Sequence, residues 1–428
     1  MRINKKEMAR IIELDNKLKL IVHGKKSGPS ASIAVLVGYG SRYEDASTNG
    51  AAHFLEHFLF QGSQKRPSSR AISEAIEGIG GILEAYTGQE ATCYFSKVPA
   101  YRLEEALDVL ADMVLSPLFR EEDLEKERRV IIEEIRMHRD QPSDLGETLL
   151  FQLLFPDHPL GKDIAGSEAS LTDFSIPLLA DCWQRMYCGS NIVLSICGHI
   201  DPLKVEALCQ AGFSRLAAGQ QPSFPPAGQQ RQNRFQVERK DTAEAHLCLG
   251  GITLGRNHPD RFALGILNAV LGVGASSRLF NEVRDRYGLA YYVHSSLEYF
   301  QDAGCQVVEA GCAPQNVPQV LDLIWEQMEK LSREGLQLSE LNRVIEYIKG
   351  GFLLRLEDTL SQALWLGEHL LLDGVLPSAR EKIRHYERVT PDDVQRVAQQ
   401  FFRLGNLSGV AVGPLEDETC WQNYRTSS

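Results

Sequence analysis

The chain has no long hydrophobic run and no strongly basic segment, and each absence excludes a class of partner. No apolar run reaches the roughly 20 residues that a membrane-spanning helix needs, so we expect no transmembrane segment. The formal net charge of the 428 residues is −12, and no basic stripe is present that could neutralise the phosphates of a nucleic acid. We therefore expect neither a membrane nor nucleic acid as a partner.

Paired cysteine motifs and targeting signals are also absent. The nine cysteines include no C-x-x-C pair and lie scattered in apolar segments, a pattern typical of reduced core residues and not of a disulfide framework. The N-terminal segment has no apolar signal core, and Glu7, Glu13 and Asp15 argue against an organellar transit peptide. We expect a cytoplasmic protein.

A segment rich in proline, glycine and glutamine divides the chain near its middle. Residues 218–233 are predicted to be a linker between an N-terminal domain, residues 1–217, and a C-terminal domain, residues 234–428. A similar order of strand-like and helix-like segments lies on each side, as an internal repeat of roughly 200 residues. We predict an α+β fold of two homologous domains, each a mixed or antiparallel sheet packed with helices on one face.

The run AAHFLEHFLF contains the strongest chemical motif of the chain, H-x-x-E-H. In a helix, His53 and His57 lie one turn apart on the same face, so both imidazoles can reach one metal ion. Glu56 lies beside them, close enough to act on a metal-activated water. This order of residues is the inverzincin signature of zinc peptidases, although an isolated match also arises on ordinary helices.

A zinc site needs a third protein ligand, and the helix predicted at residues 121–139 offers three candidates. Glu127 and Glu134 are seven residues apart, two turns along one side of this helix, and Glu133 is also near. Spacing does not choose among the three. A charged, solvated helix face with i,i+4 ion pairs is the ordinary alternative.

Three segments together resemble the pitrilysin/insulinase family of zinc metallopeptidases, in the branch that contains mitochondrial processing peptidase and its bacterial relatives. They are GSRYEDASTNGAAHFLEHFLFQGS, IGGILEAYTGQEATCYFSKV and EKERRVIIEEIRMHRDQPSD. The family has its distal zinc ligand in a pattern E-[KR]-x-V-x-x-x-E, which here runs from Glu127 to Glu134. The resemblance implies Zn²⁺ bound by His53, His57 and Glu134. It also implies Glu56 as the general base and Glu127 as an acid that orients the site without binding the metal itself.

The same resemblance implies a substrate-binding edge strand at Glu84, Ala85, Tyr86 and Thr87, to which an extended peptide adds by main-chain hydrogen bonds. Family members usually have Asn at the position of Glu84. A carboxylate cannot donate the hydrogen bonds of an amide, so this departure puts the specificity or the rate in doubt. Glu84 could instead select a basic group on the substrate.

In the second half, Arg284 and Tyr291 match a family pair that helps to bind substrate and to stabilise the reacting carbonyl. Without the resemblance, this stretch is interpreted as an amphipathic helix that runs into a strand at Gly288. Arg284 would then be merely an exposed residue of that helix. The second half has no H-x-x-E-H motif where the repeat would place one. The metal chemistry is therefore expected in the first half alone.

These inferences predict a zinc-dependent endopeptidase that cleaves extended or unstructured peptides. In the family, short chains pair so that the zinc half of one meets the Arg-Tyr half of the other. Because this chain has both sets, an active homodimer is expected, with a paralogous partner as the alternative. Two other functions stay open: a non-catalytic core or binding subunit, which would need a broken metal site, and a non-peptidase metal hydrolase with the same ligands.

Overall fold

The computed structural model describes residues 9–228, 233–416 and 418–424, which form two compact units. The first unit lies within the segments Met1–Ile135, Asp163–Pro225 and Leu353–Pro377. The second unit lies within Arg136–Lys162, Pro226–Phe352 and Ser378–Ser428. Each unit therefore includes one segment from the opposite half of the chain. Residues 229–232 of the predicted linker lie outside the described residues.

Each unit is built on one mixed sheet. The strands are β1 (Arg10–Glu13), β2 (Lys19–Gly24), β3 (Ser30–Val37), β4 (Ile82–Thr87), β5 (Thr92–Pro99), β6 (Ile192–Gly198), β7 (Phe235–Arg239), β8 (Ala245–Thr253), β9 (Ala290–Tyr299), β10 (Gly304–Cys312) and β11 (Ser408–Gly413). The first sheet has the order β1-β2-β6-β3-β5-β4 and the second β7-β11-β8-β10-β9. The pairs β2–β6 and β7–β11 are parallel, and the other neighbours are antiparallel.

The α-helices alternate with these strands. They are α1 (Ala51–Leu59), α2 (Ser69–Glu77), α3 (Leu103–Leu115), α4 (Glu121–Asp140), α5 (Pro142–Leu154), α6 (Glu168–Thr172), α7 (Ile176–Met186), α8 (Pro202–Gly212), α9 (Arg261–Gly272), α10 (Val317–Glu334), α11 (Leu338–Arg355), α12 (Thr359–Asp373), α13 (Ala379–Glu387) and α14 (Pro391–Phe401). Among the described helices, none is long and apolar enough to cross a membrane.

In the first unit, one face of the sheet is covered by the main helical layer. The apolar sides of α1, α3, α4 and α7 pack on this face and form a single buried core. Helix α3 follows the strand β5, and helix α4 follows α3. The predicted α+β class with mixed sheets is confirmed.

The opposite face of the first sheet is also covered, although helices were predicted on one face only. Strand β3 is buried at seven consecutive positions, and a strand buried on both faces needs apolar cover on both. Helix α12, from the other half of the chain, supplies part of it. Its Ala363 packs with Leu36 of β3 and with Cys93 and Phe95 of β5.

The second unit repeats this arrangement. Helices α9, α10, α11 and α14 share a core with one face of the second sheet. On the other face, Leu150, Phe151 and Leu154 of α5 pack against Cys248, Val307 and Val410. The helices exchanged between the halves of the chain, α5 and α12, therefore have equivalent positions in the two units.

Candidate metal centre

Helix α1 presents its polar side chains from an otherwise buried helix. Phe54, Leu55 and Phe58 are fully buried in the core of the first unit, because they occupy the apolar side of the helix. His53, Glu56 and His57 are left on the remaining side, where they are half-buried. The predicted placement of both imidazoles on one face is therefore observed.

The start of α1 is fixed by an acidic cap and a glycine. The carboxylate of Glu44 accepts hydrogen bonds from the backbone N–H groups of Gly50, at 2.8 Å, and Ala52, at 2.7 Å. These groups would otherwise lack partners at the helix N-terminus. Gly50 has a φ of 97°, and a Cβ atom there would lie 2.7 Å from the carbonyl oxygen of Ala165. Glu44 was not among the predicted site residues.

Helix α4 brings a carboxylate to the same place. Leu124, Ile131 and Ile135 are buried and orient the helix. Glu134 is half-buried and faces the histidines, whereas Glu133 is exposed. The tertiary structure thus separates the two neighbouring glutamates that spacing alone could not.

The three side chains converge on one point. Nε2 of His53 lies 3.9 Å from Oε1 of Glu134, and Nε2 of His57 lies 3.5 Å from its Oε2. One ligand atom from each residue lies within 4.8 Å of the others, and among the described residues no other group of His, Cys, Asp or Glu does so. Ligands at about 2.1 Å from a tetrahedral zinc ion lie about 3.4 Å apart. This donor set of two imidazoles and a carboxylate fits zinc.

Glu127 lies behind the histidines. Its carboxylate is 5% exposed and accepts a hydrogen bond from Nδ1 of His57 at 3.3 Å. A proton on Nδ1 leaves Nε2 with a lone pair for a metal. Burial by itself lowers the pKa of His57, but the hydrogen bond to Glu127 and the neighbouring carboxylates outweigh it and raise the pKa.

Glu56 lies next to this group and contacts the edge of the sheet. Burial raises the pKa of Glu56, and the hydrogen bond from Thr87 and the nearby His57 offset part of this effect. A carboxylate with a raised pKa is better suited to take and return a proton near neutral pH. The contact between Thr87 and Glu56 was not predicted.

Strand β4, which carries the predicted substrate residues, is at the edge of the first sheet. Ala85 packs against the main core on the side of α1. Tyr86 points to the opposite face, where its hydroxyl donates to Glu368 of α12 at 2.8 Å. Because side chains alternate along a strand, Glu84 lies on the face of Tyr86, and it is exposed.

The second unit contains the predicted Arg-Tyr pair. The segment Phe280–Arg286, predicted as an amphipathic helix, is a π-helix, a form that is frequent at functional sites. The guanidinium carbon of Arg284 lies 6.0 Å from the ring centre of Tyr291, near the limit of a cation–π contact. Tyr291 is 74% exposed on β9, an edge strand. The structure therefore brings these two residues together at an accessible position.

Models of one family match both halves of the chain. Residues 20–168 match the insulinase family, peptidase family M16, and residues 173–348 match the peptidase M16 inactive domain. A protein of Mycobacterium tuberculosis named an uncharacterised zinc protease is 38% identical over 90% of this chain and 88% of its own length. One of Bacillus subtilis with the same description is 34% identical over 90% of this chain and 94% of its own length.

Solved structures show the same fold. A protease from Helicobacter pylori matches 95% of this chain and 100% of its own, with a TM-score of 0.90 and 23% identity. A peptidase M16 inactive domain from Pseudomonas fluorescens matches 96% of this chain and 99% of its own, with a TM-score of 0.89 and 18% identity. The family models and the sequence relatives confirm the resemblance, and the chain belongs to the insulinase family, peptidase family M16.

Proposed function

We propose that this protein is a zinc-dependent endopeptidase that cleaves extended or unstructured peptides. The observation that carries the proposal is the convergence of His53, His57 and Glu134, with Glu56 beside them. The relatives in Mycobacterium tuberculosis and Bacillus subtilis are named zinc proteases. The names support zinc as the metal and peptide hydrolysis as the reaction.

The ligand set has the composition of a catalytic zinc site, because three protein ligands leave one coordination position open. When bound there, Zn²⁺ supplies a Lewis acid for the scissile carbonyl and lowers the pKa of water to about 7. Glu127 keeps the Nε2 atom of His57 directed at the site through its contact with Nδ1. The carboxylate of Glu134 neutralises part of the metal charge.

Glu56 is the proposed general base. It is half-buried next to the two histidines and is not one of the three converging ligands. Its carboxylate takes the proton of the attacking water and later gives it to the leaving amine. The raised pKa of Glu56 favours the first of these steps, because a weaker acid has a more basic carboxylate.

The substrate binds along the free edge of β4. An edge strand presents unpaired N–H and C=O groups to which an extended peptide can add. Such binding recognises the backbone more than the side chains, so peptides without stable structure are the natural substrates. Arg284 and Tyr291 are proposed to bind the peptide or stabilise the developing oxyanion.

The active form is proposed to be a homodimer, in which the zinc unit of one copy works with the Arg284–Tyr291 pair of the other. The support is that one chain has both sets of residues. A variant that is monomeric by sedimentation should keep its zinc and lose most of its activity. Full activity from such a monomer would contradict the homodimer.

The test of the function is zinc content together with cleavage of an unstructured basic peptide, for the wild type and Glu56→Gln. We expect zinc in both proteins and a loss of at least about 100-fold in kcat in the variant. Zinc without cleavage by the wild type would favour the alternative of a non-catalytic subunit that needs a partner. A wild type that binds no zinc would overturn the proposal.

A further inference from the structure

The hydroxyl group of Thr87 contacts the proposed general base directly. Thr87 is the last residue of β4, and its Oγ1 donates a hydrogen bond to Oε2 of Glu56. An ionised carboxylate can only accept hydrogen bonds, so the direction of this one is determined. The edge strand and the catalytic helix α1 are therefore joined through one side chain.

A second hydroxyl orients the first. Thr92, which is opposite Thr87 in the β4–β5 pair, donates to the carbonyl oxygen of Tyr39 at 2.8 Å and lies 3.2 Å from Oγ1 of Thr87. A hydroxyl has one proton, so Thr92 offers only a lone pair to Thr87. The proton of Thr87 goes to Glu56, because a hydrogen bond to a charged acceptor is the stronger one.

This chain of hydroxyls is held rigidly. Thr92 is fully buried and Tyr39 is 1% exposed, so neither can turn without disturbing the core. When Glu56 takes a proton on Oε1, its Oε2 still accepts the hydrogen bond from Thr87. The network therefore has a partner for Glu56 both before and after the proton is transferred.

We propose that Thr87 is a positioning residue, which holds Oε2 of Glu56 so that Oε1 faces the water at the metal centre. This inference rests on the proposed function. A carboxylate held in one rotamer does not have to be ordered in each turnover, which lowers the entropic part of the barrier. Because Thr87 ends the strand along which the peptide adds, one residue aligns the substrate and the base.

The first test compares Thr87→Val and Thr87→Ser in the zinc-loaded, full-length protein. Valine has the shape of threonine without the hydroxyl, so we expect kcat to fall on the order of 10- to 100-fold with zinc content unchanged. KM should stay within about twofold, because the backbone of β4 is unaltered. Serine keeps the hydroxyl and should retain most of the activity.

Ser96→Ala is the matched control. The hydroxyl of Ser96 donates to the carbonyl oxygen of Ile82 at 2.7 Å, at the other end of β4. Its removal weakens the anchoring of the same strand without touching Glu56. We expect lower stability and an unchanged kcat. An equal loss of kcat in Ser96→Ala and Thr87→Val would reduce Thr87 to a structural residue and overturn the inference.

The second test does not depend on activity. The crystal structure of the zinc-bound wild type should show the Glu56 carboxylate hydrogen-bonded to Thr87. In the crystal structure of zinc-bound Thr87→Val, the carboxylate should be displaced or occupy several rotamers. An unchanged Glu56 in the variant, with kcat intact, would overturn the positioning role and leave the peptidase proposal standing. A displaced Glu56 in a protein whose wild type cleaves no peptide would retain the positioning role and remove the proposed function.

Discussion

The buried carboxylate of Glu127 accepts a hydrogen bond from Nδ1 of His57 at 3.3 Å, so Nε2 of that imidazole is the atom that faces Glu134. A carboxylate can only accept hydrogen bonds, so Glu127 on a neighbouring helix favours the tautomer of His57 with its proton on Nδ1. In the proposed zinc site, this contact gives Glu127 a role in metal binding without making it a ligand.

The first prediction follows from that contact. Glu127→Gln should weaken zinc binding by about 10- to 100-fold, since a neutral amide oxygen is a weaker partner for Nδ1–H than a carboxylate. Competition with a chromophoric chelator measures the affinity. Glu125→Gln is the control, because Glu125 is exposed on the same helix. An unchanged affinity in Glu127→Gln would assign the residue to packing alone.

A second prediction separates the adjacent glutamates of α4. Glu134→Gln should lose most of the bound zinc, because the amide oxygen is uncharged and a poor zinc ligand. Glu133→Gln should keep it, since Glu133 is exposed and lies outside the converging group. Metal analysis after gel filtration compares the two. Zinc lost from Glu133→Gln and kept by Glu134→Gln would reverse the assignment.

The third prediction concerns Glu84 and rests on the proposed function. A residue opposite Glu84 in an added strand has its side chain on the same face, so the exposed carboxylate of Glu84 favours a basic side chain there. Glu84→Asn should lower kcat/KM for peptides with Lys or Arg at one position by about 5- to 10-fold, which corresponds to about 1 kcal/mol. Peptides with a neutral residue at that position should be cleaved as well as before or better. A uniform change over both peptide sets would exclude selection by charge.

The fourth prediction uses two glycines in helices. A Cβ atom at Gly367 of α12 would lie 2.3 Å from Cδ1 of Leu36, so Gly367→Ala should destabilise the protein by about 1–3 kcal/mol through overpacking. Gly350 of α11 has no atom within 4 Å of such a Cβ. Gly350→Ala should therefore stabilise the protein by about 0.5–1 kcal/mol. Thermal unfolding measures the change in stability of each variant. Equal changes in Gly367→Ala and Gly350→Ala would show that α12 does not pack closely on β3.

Much of the fold follows from local patterns. The helix predicted at residues 121–139 is Glu121–Asp140, because its apolar residues recur with the helical period. The segment with Arg284 was predicted as an ordinary amphipathic helix and is a π-helix. Its apolar pattern does not distinguish the two hydrogen-bonding schemes.

The covering of the outer sheet faces could not be predicted in the same way. Helices α5 and α12 have apolar sides, which show that each helix packs against another element but do not identify that element. The pattern of β3 shows burial on both faces, and the partner on the second face comes from more than 300 residues away in sequence. The sequence therefore predicted helices on one face, and the long-range packing added a helix on the other.

The sequence by itself determined the local chemistry: two histidines one helical turn apart with a glutamate between them, and a second helix rich in glutamate. The helical period sets these relations without any distant contact. The family pattern implied Glu134 as the third ligand with Glu127 behind it, whereas helix spacing left the glutamates undistinguished; only the tertiary structure decided that Thr87 contacts Glu56. These residues lie on separate elements, and their distances depend on how helices α1 and α4 and the edge strand pack on one core.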